Sequence, residues 1–140
     1  MIRTIRYAFL AALCQFTQLV SPSNASEVIV RRVLEADSTI SGQPIVLPQG
    51  DVQLLVSTYE IAPGASLPEH QHPFMRYGYV LEGVLAVTNL ETGVTRTFKA
   101  GECVVESLGQ WHKGANPGSG PLKILVFDQV PRGRTNTVSR

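Results

Sequence analysis

The sequence predicts an all-β fold built as a single domain, and two observations carry that prediction. Runs of about five to ten residues rich in Val, Ile, Thr, Tyr and Phe recur between Gly, Pro and Asn turn signals. Nowhere does the chain hold the 3.6-residue apolar period that a long helix needs. The regular runs are Val52 to Ile61, Leu67 to His72, Tyr77 to Glu82, Val84 to Leu90, Val94 to Phe98, Cys103 to Glu106, Trp111 to Gly114 and Leu122 to Asp128. Many short strands at such spacing favour a sandwich or a closed barrel, because closure removes exposed strand edges.

The turns between the runs have their own chemistry. Ala62-Pro63-Gly64-Ala65 places Pro where φ is fixed and Gly where φ can be positive, and Glu91-Thr92-Gly93 closes a hairpin. Lys99-Ala100-Gly101-Glu102 repeats the device. Ahead of the regular region, Val28 to Glu35 and Gln43 to Leu47 read as N-terminal strands within 26–51. The barrel then spans 52–130, and residues 131–140, polar and holding Pro131 and Gly133, read as a flexible, solvated C-terminal tail.

Residues 1–25 have the layout of a secretory signal peptide. Arg3 and Arg6 form a positive start, Ala8 to Val20 an apolar stretch, and Ser21 to Ser26 a small-residue exit, with cleavage expected near Ala25 or Ser26. An apolar stretch of about 13 residues falls short of the ~20 that a membrane-spanning helix requires. The expectation is export to a periplasm or the extracellular space, with no stable membrane anchor after cleavage.

The remainder, about 115 residues, suffices for one core and not for two. With Arg3 and Arg6 gone, 10 basic side chains face 11 acidic ones, a balance that calls for no nucleic-acid partner. Cys14 leaves with the signal, so Cys103 has no partner for an internal disulfide and reads as a small buried hydrophobe.

The chain's three histidines are the most informative feature. In Glu69-His70-Gln71-His72, strand alternation puts both imidazoles on one face, roughly 7 Å apart along the backbone. Two such rings can converge on one ion, and imidazole suits Zn, Cu, Fe and Ni. His112 is the histidine left to supply a third ligand.

These residues also resemble a known family, the cupins, in two motifs. The first motif is Gly, five residues, His-x-His, three or four residues, Glu, six residues, Gly; Gly64, His70, His72 and Gly83 fall in register with it. The second is Gly, five residues, Pro-x-Gly, two residues, His, three residues, Asn; Gly101, Gly109, His112 and Asn116 match, with Ser107 in place of the proline. The resemblance implies a jelly-roll β-barrel whose motif histidines point inward and hold a divalent metal ion such as Fe, Mn, Ni, Cu or Zn. It also implies a small-molecule ligand and a homodimer. It does not imply one reaction, since this fold hosts many.

Where the family motif has its Glu ligand, this chain has Arg76, which has no lone pair to donate. Three arrangements follow: a three-histidine centre with Arg76 turned to the rim, the same centre with Arg76 anchoring an anionic substrate, or a barrel without metal. If Arg76 faces the ion, Arg76→Glu is expected to tighten metal binding. Glu60 and Glu106 are further carboxylates able to supply the missing oxygen if either reaches. Trp111 and Tyr79, close to the histidines in sequence, join Arg76 as candidate substrate-binding residues, with ordinary core packing as the alternative for both.

Two functions fit this reading. One is a metal-dependent enzyme, dioxygenase-like or isomerase- or lyase-like, acting on a small organic molecule. The other is a non-catalytic module that binds a small molecule or a metal chelate.

Overall fold

Alternating burial along the strands decides which side chains enter the barrel. The computed structural model describes residues 27–140, so the signal-peptide reading of 1–25 lies outside the described residues. Among the described residues there are nine strands: β1 (Val52–Ile61), β2 (His70–Gln71), β3 (Arg76–Glu82), β4 (Val84–Asn89), β5 (Thr95–Lys99), β6 (Cys103–Val105), β7 (His112–Ala115), β8 (Leu122–Pro131) and β9 (Val138–Ser139). They form a four-stranded sheet in the order β1-β8-β3-β6 and a five-stranded sheet in the order β5-β4-β7-β2-β9. All paired strands within the two sheets are antiparallel. The result is the all-β jelly roll that the sequence predicts.

The longest strands show the pattern plainly. Along β8, Leu122, Ile124, Val126, Asp128 and Val130 are buried while each intervening residue is only partly so. On β3, Arg76, Gly78 and Val80 are buried, whereas Tyr77 and Tyr79 take the other face. The inward apolar side chains Ile61, Val80, Leu85, Val87, Val104, Leu122, Ile124 and Val126 make one core. Burying each is worth about 1.5–3 kcal/mol. Because alternation holds from Arg76 to Val80 and along β8, Arg76 and Asp128 fall on the inward faces with the apolar residues.

Close packing fixes two glycines. A Cβ at Gly78 would lie 2.8 Å from Cγ1 of Val104, and Gly83, at φ 80°, would place one 2.5 Å from the carbonyl oxygen of Pro121. Both hold β3 and its hairpin against neighbouring backbone and side chains.

Three expectations need correction. Val28 to Glu35 forms no strand and is exposed along its length. Gln43 to Leu47 keeps only the single bridge Ser38 to Pro44, and the backbone bonds Thr39 to Gln43 and Ile45 to Asp37 fold this region into a turn instead. Leu67 to His72 shortens to His70–Gln71, since Pro68 lacks an N–H and Pro73 follows at once.

The tail reading is also corrected. β9 pairs Ser139 with His70 and Val138 with Gln71, and Asn136 is 3% exposed. Its side chain makes the difference: Asn136 accepts from the Phe74 amide at 2.9 Å and donates to Asp128 Oδ1 at 2.6 Å. Those bonds seat the segment on the barrel. Residues Arg31–Arg140 accordingly cluster as one compact unit.

Candidate metal centre

β2 and β7 lie side by side with His70 opposite His112, and His72 bridges Leu108 just beyond. The three rings therefore meet, with centroids 4.5 to 4.9 Å apart. All are buried, with His72 at 0% and His112 at 1% exposure.

Each ring is fixed by a backbone carbonyl. Nδ1 lies 2.7 Å from the Pro68 oxygen in His70, 2.5 Å from that of Asn136 in His72 and 2.8 Å from that of Gln110 in His112. A carbonyl can only accept, so each Nδ1 carries the hydrogen and donates it. Each neutral ring is left with its lone pair on Nε2. Such carbonyl partners orient metal-binding histidines and set their tautomer.

The fourth member is Glu106. Its Oε2 lies 3.2 Å from Nε2 of His72 and 2.9 Å from Nε2 of His112. Alternation from Val104 turns it inward, and its amide donates to the Arg76 carbonyl at 3.0 Å. One donor atom from each of His70, His72, Glu106 and His112 lies within 4.8 Å of the others, and the group can hold a metal ion. Three imidazole nitrogens and one carboxylate oxygen suit Zn, Fe, Mn, Ni or Cu better than Mg or Ca.

Charge explains how the group can hold a proton or a metal ion. A bare Nε2 lone pair facing a carboxylate oxygen is repulsive unless a proton or a metal ion lies between them. Burial alone would raise the Glu106 pKa, but where His112 and His72 take a second proton on Nε2, their hydrogen bonds and positive charges outweigh it and hold the carboxyl far below its usual range. Burial lowers the His112 pKa, yet the Glu106 hydrogen bond and charge overcome that and raise it above the ordinary value. His70, which has no such partner, is pushed down by burial and by the charges of His72 and His112 against the opposing bond to Pro68.

Arg76 does not ligate. It is 5% exposed, and its Nε and Nη2 bind Asp128 Oδ1 and Oδ2 in a fork, both at 2.8 Å. Burial would lower its pKa, but Asp128 more than compensates and the guanidinium stays charged. Nη2 also reaches Thr137 Oγ1 at 3.2 Å, while Nη1 bonds to no acceptor among the described residues. Of the three arrangements left open by the sequence, the rim position is thus excluded.

Two adjoining cavities meet at this point, both lined by Tyr59, Leu67, His70 and Arg76. The inner one, about 20 Å³, reaches Glu106. The outer one, about 120 Å³, runs past Pro68, Thr137 and Ser139. A larger cavity of about 330 Å³ lies elsewhere, between β4, β5 and the Ile40–Gly42 turn, and contains none of the four donor groups.

The structure separates the other candidates from the site. Tyr79 is on the outer face of β3, opposite Arg76 and Val80, so it cannot line the interior. Trp111 precedes inward His112 and lines neither cavity at the centre; the Arg140 guanidinium stacks on its ring at 4.4 Å. Glu60 pairs with Lys123 at 3.3 Å on the surface. Asp128 and Asn136 were not foreseen. Asp128 had a signal, a charge at the end of the alternating apolar run Leu122, Ile124, Val126; Asn136, in a polar segment, had none.

The fold and centre define a small β-barrel with a three-histidine, one-carboxylate site in its interior. The family model described as Cupin domain matches residues 57–128, and the chain belongs to that family. Tetracenomycin polyketide synthase protein TcmJ of Streptomyces glaucescens is 37% identical over 73 residues, which cover 51% of this chain and 47% of that one. The chain thus matches about half the length of that curated relative. Among solved structures, the polyketide cyclase RemF from Streptomyces resistomycificus superposes with a TM-score of 0.53 at 22% identity, over 69% of this chain and 70% of the other. An oxalate decarboxylase formate complex from Lactobacillus farciminis gives 0.53 at 27% identity, over 61% and 26%.

Proposed function

We propose that this protein is an exported, divalent-metal-dependent cupin enzyme acting on a small organic acid. The observation that carries the reading is the orientation of all three Nε2 lone pairs, each set by a carbonyl on Nδ1, toward one point shared with Glu106. A bound dication would supply Lewis-acid or oxygen-activating chemistry there.

Charge and space support an acid as the ligand. A dication with Glu106 and the Arg76–Asp128 pair carries a formal surplus of one positive charge, which a carboxylate offsets. Arg76 is already aligned by Asp128, so its open Nη1 meets an incoming carboxylate with little further ordering. The outer cavity holds the volume of a few water molecules. That space suits an acid of a handful of non-hydrogen atoms better than a polyketide, and the related oxalate decarboxylase was solved with formate. Leu67, Leu85 and Val126 keep the inner cavity apolar, which strengthens charge interactions inside it.

A binding protein without turnover is the second reading. It is favoured by the lining itself: apart from the four donors and Arg76, Tyr59 is the one titratable side chain in the two cavities, so a general base is scarce.

Calorimetric titration of the metal-loaded protein with formate, glycolate, oxalate and lactate, followed by product analysis, tests both. Saturable binding weakened at least tenfold by Arg76→Lys is expected, with consumption of one acid. Binding without product selects the second reading. No binding of any acid overturns the proposal.

A further inference from the structure

The segment Asn136–Arg140 lies outside the stretch that matches the family model, yet it touches His70, His72, Arg76 and Asp128. The Asn136 carbonyl accepts from Nδ1 of His72. The Asn136 side chain binds the Phe74 amide, the Met75 carbonyl at 3.3 Å and Asp128 Oδ1. Thr137 accepts from Arg76 Nη2, and Thr137 and Ser139 line the outer cavity. Arg140 closes the far end by pairing with Glu69 at 3.0 Å and stacking on Trp111.

We propose that Asn136–Arg140 is a strap that positions the metal centre and walls its ligand entrance, with Asn136 as the positioning residue for His72. The proposal rests on the metal-centre reading above. Its physical basis is that one short segment holds two otherwise independent groups. Through its carbonyl it fixes the tautomer and ring plane of His72, and through its side chain it fixes Asp128, which aligns Arg76. β9 itself pairs at only two positions, so these side-chain bonds carry the attachment. Loosening Asn136 releases the His72 ring and the Arg76 fork together.

The test uses Co²⁺ with the full chain. Its visible spectrum reports ligand geometry, which a role confined to fold stability would leave unmoved. Asn136→Ala is expected to lower Co²⁺ affinity ~10–100-fold, the usual cost of losing a group that orients a ligand, and to shift the spectrum. Should Asn136→Ala fail to fold, Arg140→Ala, at an exposed contact, is expected to change affinity in the same direction by a few-fold. Wild-type protein that binds Co²⁺, beside folded variants that bind it equally with the same spectrum, overturns the strap alone. Wild-type protein that takes up no Co²⁺ overturns the metal-centre reading and the strap with it.

Discussion

Glu106 and His112 are joined by a 2.9 Å contact between Oε2 and Nε2, and the ring nitrogen on the other side of His112 is committed to the Gln110 carbonyl. His112 falls at a motif histidine position, but the carboxylate beside it comes from Glu106, just past β6, and not from the motif position held by Arg76. Because β3 and β6 pair directly, Glu106, just past β6, reaches the histidines although the motif position on β3 holds Arg76.

Glu106→Gln keeps the shape and removes the charge. Its loss is expected to weaken metal binding by more than the ~10–100-fold typical of outer partners, because Glu106 would touch the ion itself. In the metal-free protein, the His112 titration followed by NMR should move back toward the ordinary histidine value as the partner that raises it disappears. An unchanged affinity would remove Glu106 from the centre.

Arg76→Glu, expected from the motif to tighten metal binding if Arg76 faces the ion, should destabilise the metal-free barrel, because Arg76 is paired with Asp128. The new carboxylate would face Asp128 across a buried contact and leave both charges unpaired. Breaking a buried pair in this way costs about 3–5 kcal/mol. Chemical denaturation of the metal-free variant checks the loss, and Asp128→Arg in the same background should return part of it.

The metal-free protein should be most stable near pH 6.5. His112 has a raised folded pKa, so its contribution is complete below the unfolded value of about 6.5 and is lost as pH rises through the folded value. His70 is lowered, so stability falls as pH drops from about 6.5 through its folded value. Glu106 is lowered too, and its contribution, present above about 4.5, is lost as pH falls further. Melting temperatures from pH 4 to 9 would follow this profile, and Glu106→Gln should flatten its alkaline side.

Gly83→Ala should destabilise the barrel without touching the site. A non-glycine residue at positive φ costs about 1–3 kcal/mol, and the added Cβ also meets the Pro121 carbonyl. Thermal unfolding measures it, and a loss below 1 kcal/mol would mean that the hairpin yields.

Much of this architecture was legible in the sequence because strand alternation is a local property. Val52 to Ile61 is a strand over the same residues in both readings, and the two histidine motifs put His70, His72 and His112 together. Alternation along Cys103 to Glu106 also aligns Glu106 with inward Val104, a signal that identifies the face but not the distance to His112. The role of residues 136–140 was not legible, because a polar segment with Pro131 and Gly133 before it looks solvated until its partners are known. The same holds for Arg76, whose burial depends on Asp128, fifty-two positions away.

Elemental analysis of the purified protein, prepared without chelators or a histidine tag, beside His72→Ala and Glu106→Gln, tests the central claim most directly. The account predicts about one equivalent of a transition metal in the wild type, lost or sharply reduced in both variants while the β-sheet circular dichroism persists. Absence of metal from the wild type even after reconstitution, or equal metal in all three proteins, would contradict it.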